Sequence, residues 1–313
     1  MIYSRSSIRT DDQGKELQEN GLQLFHVTVN DGDIHQYAAS CIPFHWHQEL
    51  EVFLLLEGEV EIGTGDSACR LNAGEGCFIN TGIIHSFAGL VPSPCRFRSF
   101  VFNSDIVAGT PGSVFDIMYV RPLLEEGGPF LKFRAKTGDE LYFEQFHRAF
   151  KACQEEKDGY EFQVREALSN IVLHTKEKSK IMPSRKIPAV QEERLKAMLK
   201  WIDQHVGQSL SVGDIAKQAN ICSRECQRMF GRYLHYTPVE YVQRRRIFAA
   251  ARQLACTDRP VTEIALSCGF SSPSYFSKQF KAIVGSTPAN YRSAVRERQD
   301  MQQLNLKALG KEV

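Results

Sequence analysis

The chain has 313 residues, 42% hydrophobic and 24% charged, with a formal net charge of +1, the composition of ordinary soluble protein long enough for two domains with separate cores. No run approaches the roughly 18 apolar residues of a membrane span, and the opening MIYSRSSIRTDDQG has neither an apolar core nor a small-residue cleavage site. A cytoplasmic protein without a membrane partner is therefore expected. The charge is divided: residues 1–185 hold 18 Lys+Arg against 26 Asp+Glu, a net of −8, whereas residues 186–313 hold 20 against 11, a net of +9. An acidic front half and a basic back half fit a polyanion-binding module carried by a domain with another task.

From about residue 22 to 103 the texture is β, in the stretches LQLFHVTV, ELEVFLLLEGEVEIG, GCFINTG and CRFRSFVFN, separated by turn residues. Many short strands with Gly-rich turns predict a sandwich or barrel. Inside this region stands PFHWHQELE, residues 43–51. His45, His47 and Glu51 share parity, so on one extended strand they point the same way, together with Phe53 and Leu55. With Gly58, Gly74, Gly82 and His85, the spacing is similar to the two motifs of the cupin barrel, a jelly roll. Asn80 stands where that pattern has proline and Gly89 where it has asparagine. The resemblance implies a divalent metal (iron, manganese or zinc) on His45, His47, Glu51 and His85. Two other uses stay open: polar lining of an effector pocket, and structural histidines. In the effector reading His45, Trp46, His47, Glu51, Phe53 and His85 form the pocket, with Phe44 nearby, and its aromatic surface suits a sugar, sugar acid or aromatic acid.

Between 113 and 178 the signal turns helical. Phe143, Phe146, Phe150 and Cys153 mark one stripe, and Val164, Leu168, Ile171, Val172 and Thr175 another. Two helices are too thin for a domain, so they are expected to cover the barrel and to pair with a second subunit in a homodimer. Residues 176–188, polar, basic and twice interrupted by proline, read as a linker. The expected division is residues 1–135 for the cupin-like domain, 136–187 for dimerisation helices and linker, and 188–313 for an all-α domain.

That last domain repeats itself. Ile215, Ala216 and Asn220 recur 49 residues later as Ile264, Ala265 and Gly269; past the turn, Phe230, Thr237, Pro238 and Tyr241 recur 50 residues later as Phe280, Thr287, Pro288 and Tyr291. Each copy reads as a short helix, a turn at a residue tolerating positive φ, and a second helix opened by Ser223 or by Ser272 and Pro273. The pattern is a helix-turn-helix in duplicate, at 211–234 and 261–284. A helix over 238–256 joins the copies as a strut of roughly 27 Å, so both second helices can enter successive major-groove segments of double-stranded DNA.

The stretch EIALSCGFSSPSYFSKQFKAIVGSTPANYR, with a looser first copy, resembles the DNA-binding domain of the AraC/XylS transcription regulators over residues 193–296. Arg224, Gln227 and Arg228 fall at i, i+3 and i+4, opposite Cys226 and Phe230, and are assigned to base readout, arginine matching guanine and glutamine adenine. The equivalent face of the second copy offers Ser274, Ser277 and Lys278, which position more than they specify. Ser223 and Ser272 at helix N-termini, Arg232, Lys281 and the run Arg244, Arg245 and Arg246 are candidates for phosphate contact, the run equally for a solvated basic face.

Nine cysteines lie scattered without a CxxC pair, as small buried hydrophobes in a reducing compartment do; Cys222 and Cys226, four apart, leave a thiol switch open. The expected function is an effector-controlled regulator rather than an enzyme. Activation, and with it RNA polymerase as a partner, is implied by the family resemblance alone. A metal- or redox-responsive regulator and a DNA-tethered cupin enzyme are the alternatives.

Overall fold

A computed structural model describes residues 2–3, 25–64, 67–90, 94–135, 138–179 and 188–297. Most of residues 1–20, and residues 180–187 of the expected linker, lie outside the described residues. The chain divides into two compact units, residues 1–196 with 232–234 and residues 197–231 with 235–313.

The first unit is built on ten strands: β1 Ile2–Tyr3, β2 Val27–Asp33, β3 Cys41–His45, β4 Leu50–Leu55, β5 Glu59–Thr64, β6 Ser67–Asn72, β7 Glu75–Ile79, β8 His85–Gly89, β9 Arg96–Phe102 and β10 Phe130–Arg134. They form a six-stranded sheet in the order β1-β2-β9-β4-β7-β10 and a four-stranded sheet in the order β3-β8-β5-β6, the sandwich that the short strands and Gly-rich turns predict and the cupin-like fold that the resemblance implies. One core contains Ile42, Phe53, Val60, Ile62, Phe87 and Phe97 from both sheets. The opposite face of the larger sheet contributes Val52, Leu54, Phe78, Phe100 and Phe102 to a second core, completed by helices. Strand β4 is thus buried along its whole length. This double burial is why its sequence LEVFLL runs continuously apolar around Glu51 instead of alternating.

The covering helices are α1 Asp105–Ala108, α2 Arg121–Glu126, α3 Glu140–Glu155 and α4 Tyr160–Ser179, with a π turn at Asp116–Val120 before α2. Phe146, Phe150, Cys153, Val164, Leu168, Ile171 and Val172 are buried in the second core, with Phe143 packed at its edge. The helical reading of 113–178 needs one correction, because β10 interrupts it and pairs antiparallel with β7 from Phe130↔Ile79 to Arg134↔Glu75. Its alternation is plain in retrospect: Leu131 and Phe133 are buried, whereas Lys132 and Arg134 reach Glu75 at 2.6 and 3.0 Å.

The second unit is helical: α5 Ala189–Gln204, α6 Val212–Lys217, α7 Ser223–Tyr233, α8 Pro238–Cys256, α9 Val261–Ser267 and α10 Pro273–Val284, then α11 from residue 288. Thr237 caps α8 in a reciprocal box with Glu240, and Thr287 accepts from the Asn290 N–H in the same way before α11. Among the described residues, no helix is long and apolar enough to cross a membrane.

Candidate effector site and DNA-binding surface

His45 ends β3, His47 lies in the turn after it, Glu51 sits on β4 and His85 opens β8, so the four residues join the two sheets. All four are buried. Each ring is pinned through Nδ1 by a carbonyl two residues away, His45 by Pro43 at 2.9 Å, His47 by Glu49 at 2.9 Å and His85 by Ile83 at 2.8 Å. A carbonyl only accepts, so each Nδ1 carries the hydrogen and, in the neutral ring, Nε2 turns a lone pair inward.

The inward atoms converge. The ligand atoms of the three histidines all lie within 4.8 Å of one another, and Glu51 Oε2 stands 3.4 Å from His47 Nε2 and 3.3 Å from His85 Nε2. His85 Nε2 is buried without a hydrogen-bond partner, although that carboxylate oxygen is adjacent. Burial, then the neighbouring His85 and His47, holds the His45 imidazole well below its usual pKa and hence neutral. Burial pushes the Glu51 carboxyl up, but His47 and His85 outweigh it and hold the group well below the carboxylate range. An ionised, buried Glu51 demands a positive partner, which either imidazolium protons or a cation can supply. With ring centroids 4.2 to 6.0 Å apart, three charged imidazoles repel one another. A cation would answer the Glu51 charge and the inward lone pairs without that repulsion. Ligands about 2.0–2.1 Å from a tetrahedral ion lie roughly 3.4 Å apart, the spacing found around Glu51.

The space beside these groups is small. The cavity lined by Tyr37, His45, Glu51, Phe53, Phe87 and Phe97, among others, holds about 20 Å³, room for a water or two. Phe53 fills the interior, stacked on Phe87 at 4.6 Å and on Phe97 at 5.1 Å. Of the expected effector set, His45, Glu51 and Phe53 line this cavity, whereas Trp46, His47 and His85 do not, although His47 and His85 lie against Glu51. The two departures from the cupin pattern have local causes. Asn80 donates to the Leu123 and Gly128 carbonyls at 2.9 and 3.3 Å. A Cβ at Gly89 would lie 2.9 Å from the His35 ring.

In the second unit the sequence repeat is a repeat of hydrogen bonds. Ile221 N–H donates to the Ala216 carbonyl and Phe270 N–H to that of Ala265; Cys226 N–H donates to Cys222 and Phe276 N–H to Ser272. Asn220 and Gly269 hold φ of 53° and 82° at the two turns. Ile215, Ala216, Cys226 and Phe230 are buried in the first copy, as are Ile264, Ala265, Phe276 and Phe280 in the second. Cys226 is buried, and burial pushes its thiol up to about 11, which disfavours the thiolate that a switch needs.

On the outer face of α7, Arg224, Gln227 and Arg228 are exposed, as are Ser274 and Lys278 on α10, with Ser277 half-buried. Helix α7 opens at Ser223 as expected, the Cys222 carbonyl accepting the first helical bond; in α10 Ser272 is the cap, accepting from the Tyr275 N–H. One assignment needs correction. The arginine run is spent inside the domain. Arg245 pairs with Asp203 at 2.6 Å and is nearly buried; Arg246 donates to the Val206 and Gln208 carbonyls; Arg244 lies over the Tyr236 ring at 4.5 Å. Sequence reasoning missed Glu225, which grips Arg228, and Tyr275, an exposed aromatic on α10 whose hydroxyl accepts from Gln243 at 2.6 Å.

The family model described as helix-turn-helix domain matches residues 215–294, and the one described as cupin domain matches residues 27–102. The regulatory protein SoxS of Salmonella typhimurium is 35% identical over 101 residues, covering 94% of SoxS and 32% of this chain. The chain belongs to the AraC family of transcription regulators. This AraC-family regulator is also 26% identical over 296 residues to the uncharacterized HTH-type transcriptional regulator YdeC of Bacillus subtilis, a match covering 90% of this chain and 97% of YdeC. A crystal structure of ToxT from Vibrio cholerae aligns at a TM-score of 0.45 and 13% identity, covering 87% of this chain and 98% of that one. The AraC-type module makes DNA the partner of the second unit, beside a cupin domain in the first.

Proposed function

We propose that this regulator answers to a divalent transition-metal ion held by His45, His47, Glu51 and His85. The observation carrying the reading is the convergence of three pinned imidazoles on one another, two of them within 3.4 Å of an ionised, buried carboxylate, beside a cavity of about 20 Å³. A bound ion supplies positive charge among these inward-facing lone pairs. Because His45 and His85 belong to one sheet and Glu51 to the other, filling the site staples the sandwich and favours one arrangement of the chain over others. A sugar or aromatic acid in the same place requires the stack of Phe53, Phe87 and Phe97 to part.

On the DNA side, Arg224, Gln227 and Arg228 read bases in one half-site, whereas Ser274, Ser277 and Lys278 chiefly position the second helix, and Ser223 and Ser272 face phosphates. The proposed division of the chain stays at 1–135, 136–187 and 188–313. Exposed Leu141, Phe162 and Leu173 on α3 and α4 support pairing with a second copy.

The test uses the full chain stripped with a chelator. Titration with zinc, manganese or ferrous ion is expected to show one ion bound per chain, a raised unfolding temperature, and altered affinity for duplexes selected from a randomised pool. His47→Ala is expected to abolish all three while leaving metal-free DNA binding nearly intact. Failure of every ion to bind stoichiometrically, with a thermal shift from a sugar or aromatic acid instead, sinks the metal reading in favour of the organic one.

A further inference from the structure

We infer that Glu225 is a positioning residue for base readout, holding the Arg228 guanidinium in the orientation that reads a base and withholding it from phosphates. The inference rests on the assignment of Arg228 to base readout proposed above.

Glu225 lies one turn before Arg228 on α7. Its Oε2 accepts from Arg228 Nε at 2.8 Å and its Oε1 from Nη2 at 2.6 Å. Two parallel charge-assisted bonds fix the plane of the guanidinium as well as its place. Both side chains are substantially exposed, at 53% for Arg228 and 29% for Glu225, and an exposed i,i+3 pair adds little to folding. For DNA affinity alone the carboxylate is a liability, since it sets negative charge on the face that meets a polyanion. Its benefit lies in geometry. The contact takes the Nε–Nη2 side of the fork, so guanine O6 and N7 would be met from the Nη1–Nη2 edge.

The second copy lacks this device. The places of Glu225 and Arg228 are taken by Tyr275 and Lys278. Tyr275 is fastened to Gln243 on the strut helix, and a lysine ammonium has no plane to orient. The two heads therefore differ in kind: the first couples a planar reader to an acidic brace that repels indiscriminate contact, the form of specificity that uses a repulsive element.

The experiment selects binding sites for the full chain from a randomised double-stranded DNA pool and repeats the selection for E225Q, E225D and R228A. It also measures affinity for a mixed-sequence duplex as a function of salt. E225Q is expected to blur the selected motif at one or two base pairs, the same pairs that R228A blurs. It is also expected to bind the mixed duplex several-fold more tightly, with a log–log salt slope steeper by about 0.9, one added phosphate contact. E225D keeps the charge but sets it one methylene back, so the motif blurs without the gain in mixed-duplex affinity. A wild-type motif in E225Q overturns the inference whatever the affinity does. Should R228A also leave the motif unchanged, Arg228 is no reader and the underlying assignment falls; should R228A blur it while E225Q does not, the role of Glu225 alone falls.

Discussion

Arg246 occupies the space behind Gly269: a Cβ on Gly269 would lie 2.9 Å from Arg246 Nε and 3.0 Å from the Val206 carbonyl that this nitrogen bonds. The backbone there holds φ +82°. Gly269→Ala therefore meets both left-handed backbone strain and displacement of a hydrogen-bonded guanidinium, and is expected to cost about 2–3 kcal/mol. Asn220→Gly, at the equivalent turn of the first copy, is expected to change stability by under about 0.5 kcal/mol, since glycine accepts the same φ. Urea unfolding followed by Trp201 fluorescence in a Trp46→Phe background isolates the second unit. Equal stability of the Gly269→Ala variant and its parent would refute the account.

Tyr142 joins helix to barrel wall. Its hydroxyl reaches the Phe53 and Cys77 carbonyls, each at 2.9 Å, over Gly76, where a Cβ would lie 2.6 Å from the Tyr142 ring. Tyr142→Phe is expected to destabilise the first unit by about 1–3 kcal/mol through the lost buried hydrogen bonds. Gly76→Ala is expected to cost more, because the ring must move. Unfolding followed by Trp46 in a Trp201→Phe background measures both, and the reverse ranking counts against this packing.

Arg224 and Lys278 should separate specification from positioning. Arg224→Ala is expected to cost about 1–3 kcal/mol at a selected site and to relax preference at one or two base pairs. Lys278→Ala is expected to weaken binding across all sequences and to reduce the salt slope by about 1. Fluorescence anisotropy on selected and scrambled duplexes distinguishes the two patterns; identical losses on both duplexes for Arg224→Ala would remove it from the readers.

Acid should unmask the ion cluster at the edge of the larger sheet. Burial pushes the Glu75 carboxyl up, but bonds from Lys132, Asn72 and Arg134 outweigh it and leave the pKa below the ordinary value. A carboxyl depressed in the folded state adds stability above its unfolded pKa, near about 4.3, and loses it as pH falls through the folded value. Glu75→Gln is thus expected to destabilise the first unit at pH 7 and to converge on the parent as pH drops below about 4. A stability gap that stays constant from pH 7 to pH 3 rules out the charge explanation.

What the sequence determined by itself is the part governed by local rules. Asn220 and Gly269 announce two turns because positive φ is a property of single residues, and Ile264 or Phe276 announces a core because burial on a helix follows its period. The common parity of His45, His47 and Glu51 did not survive as one strand: they lie on β3, in the turn after it and on β4, in two sheets, so it is the closing of the sandwich that brings them together. Tertiary structure decided whatever depends on distant partners. An arginine run reads alike whether it meets phosphates or, as Arg245 and Arg246 do, the half-buried Asp203 and the Val206 carbonyl. Strand β10 became a strand because the edge of β7 awaited it, and the alternation in FLKFR was too short to outweigh its helical surroundings. Nor does a list of aromatic residues give a volume: the space of about 20 Å³ beside His45 and Glu51 is set by Phe53 stacking between Phe87 and Phe97, because close packing is a property of the assembled core.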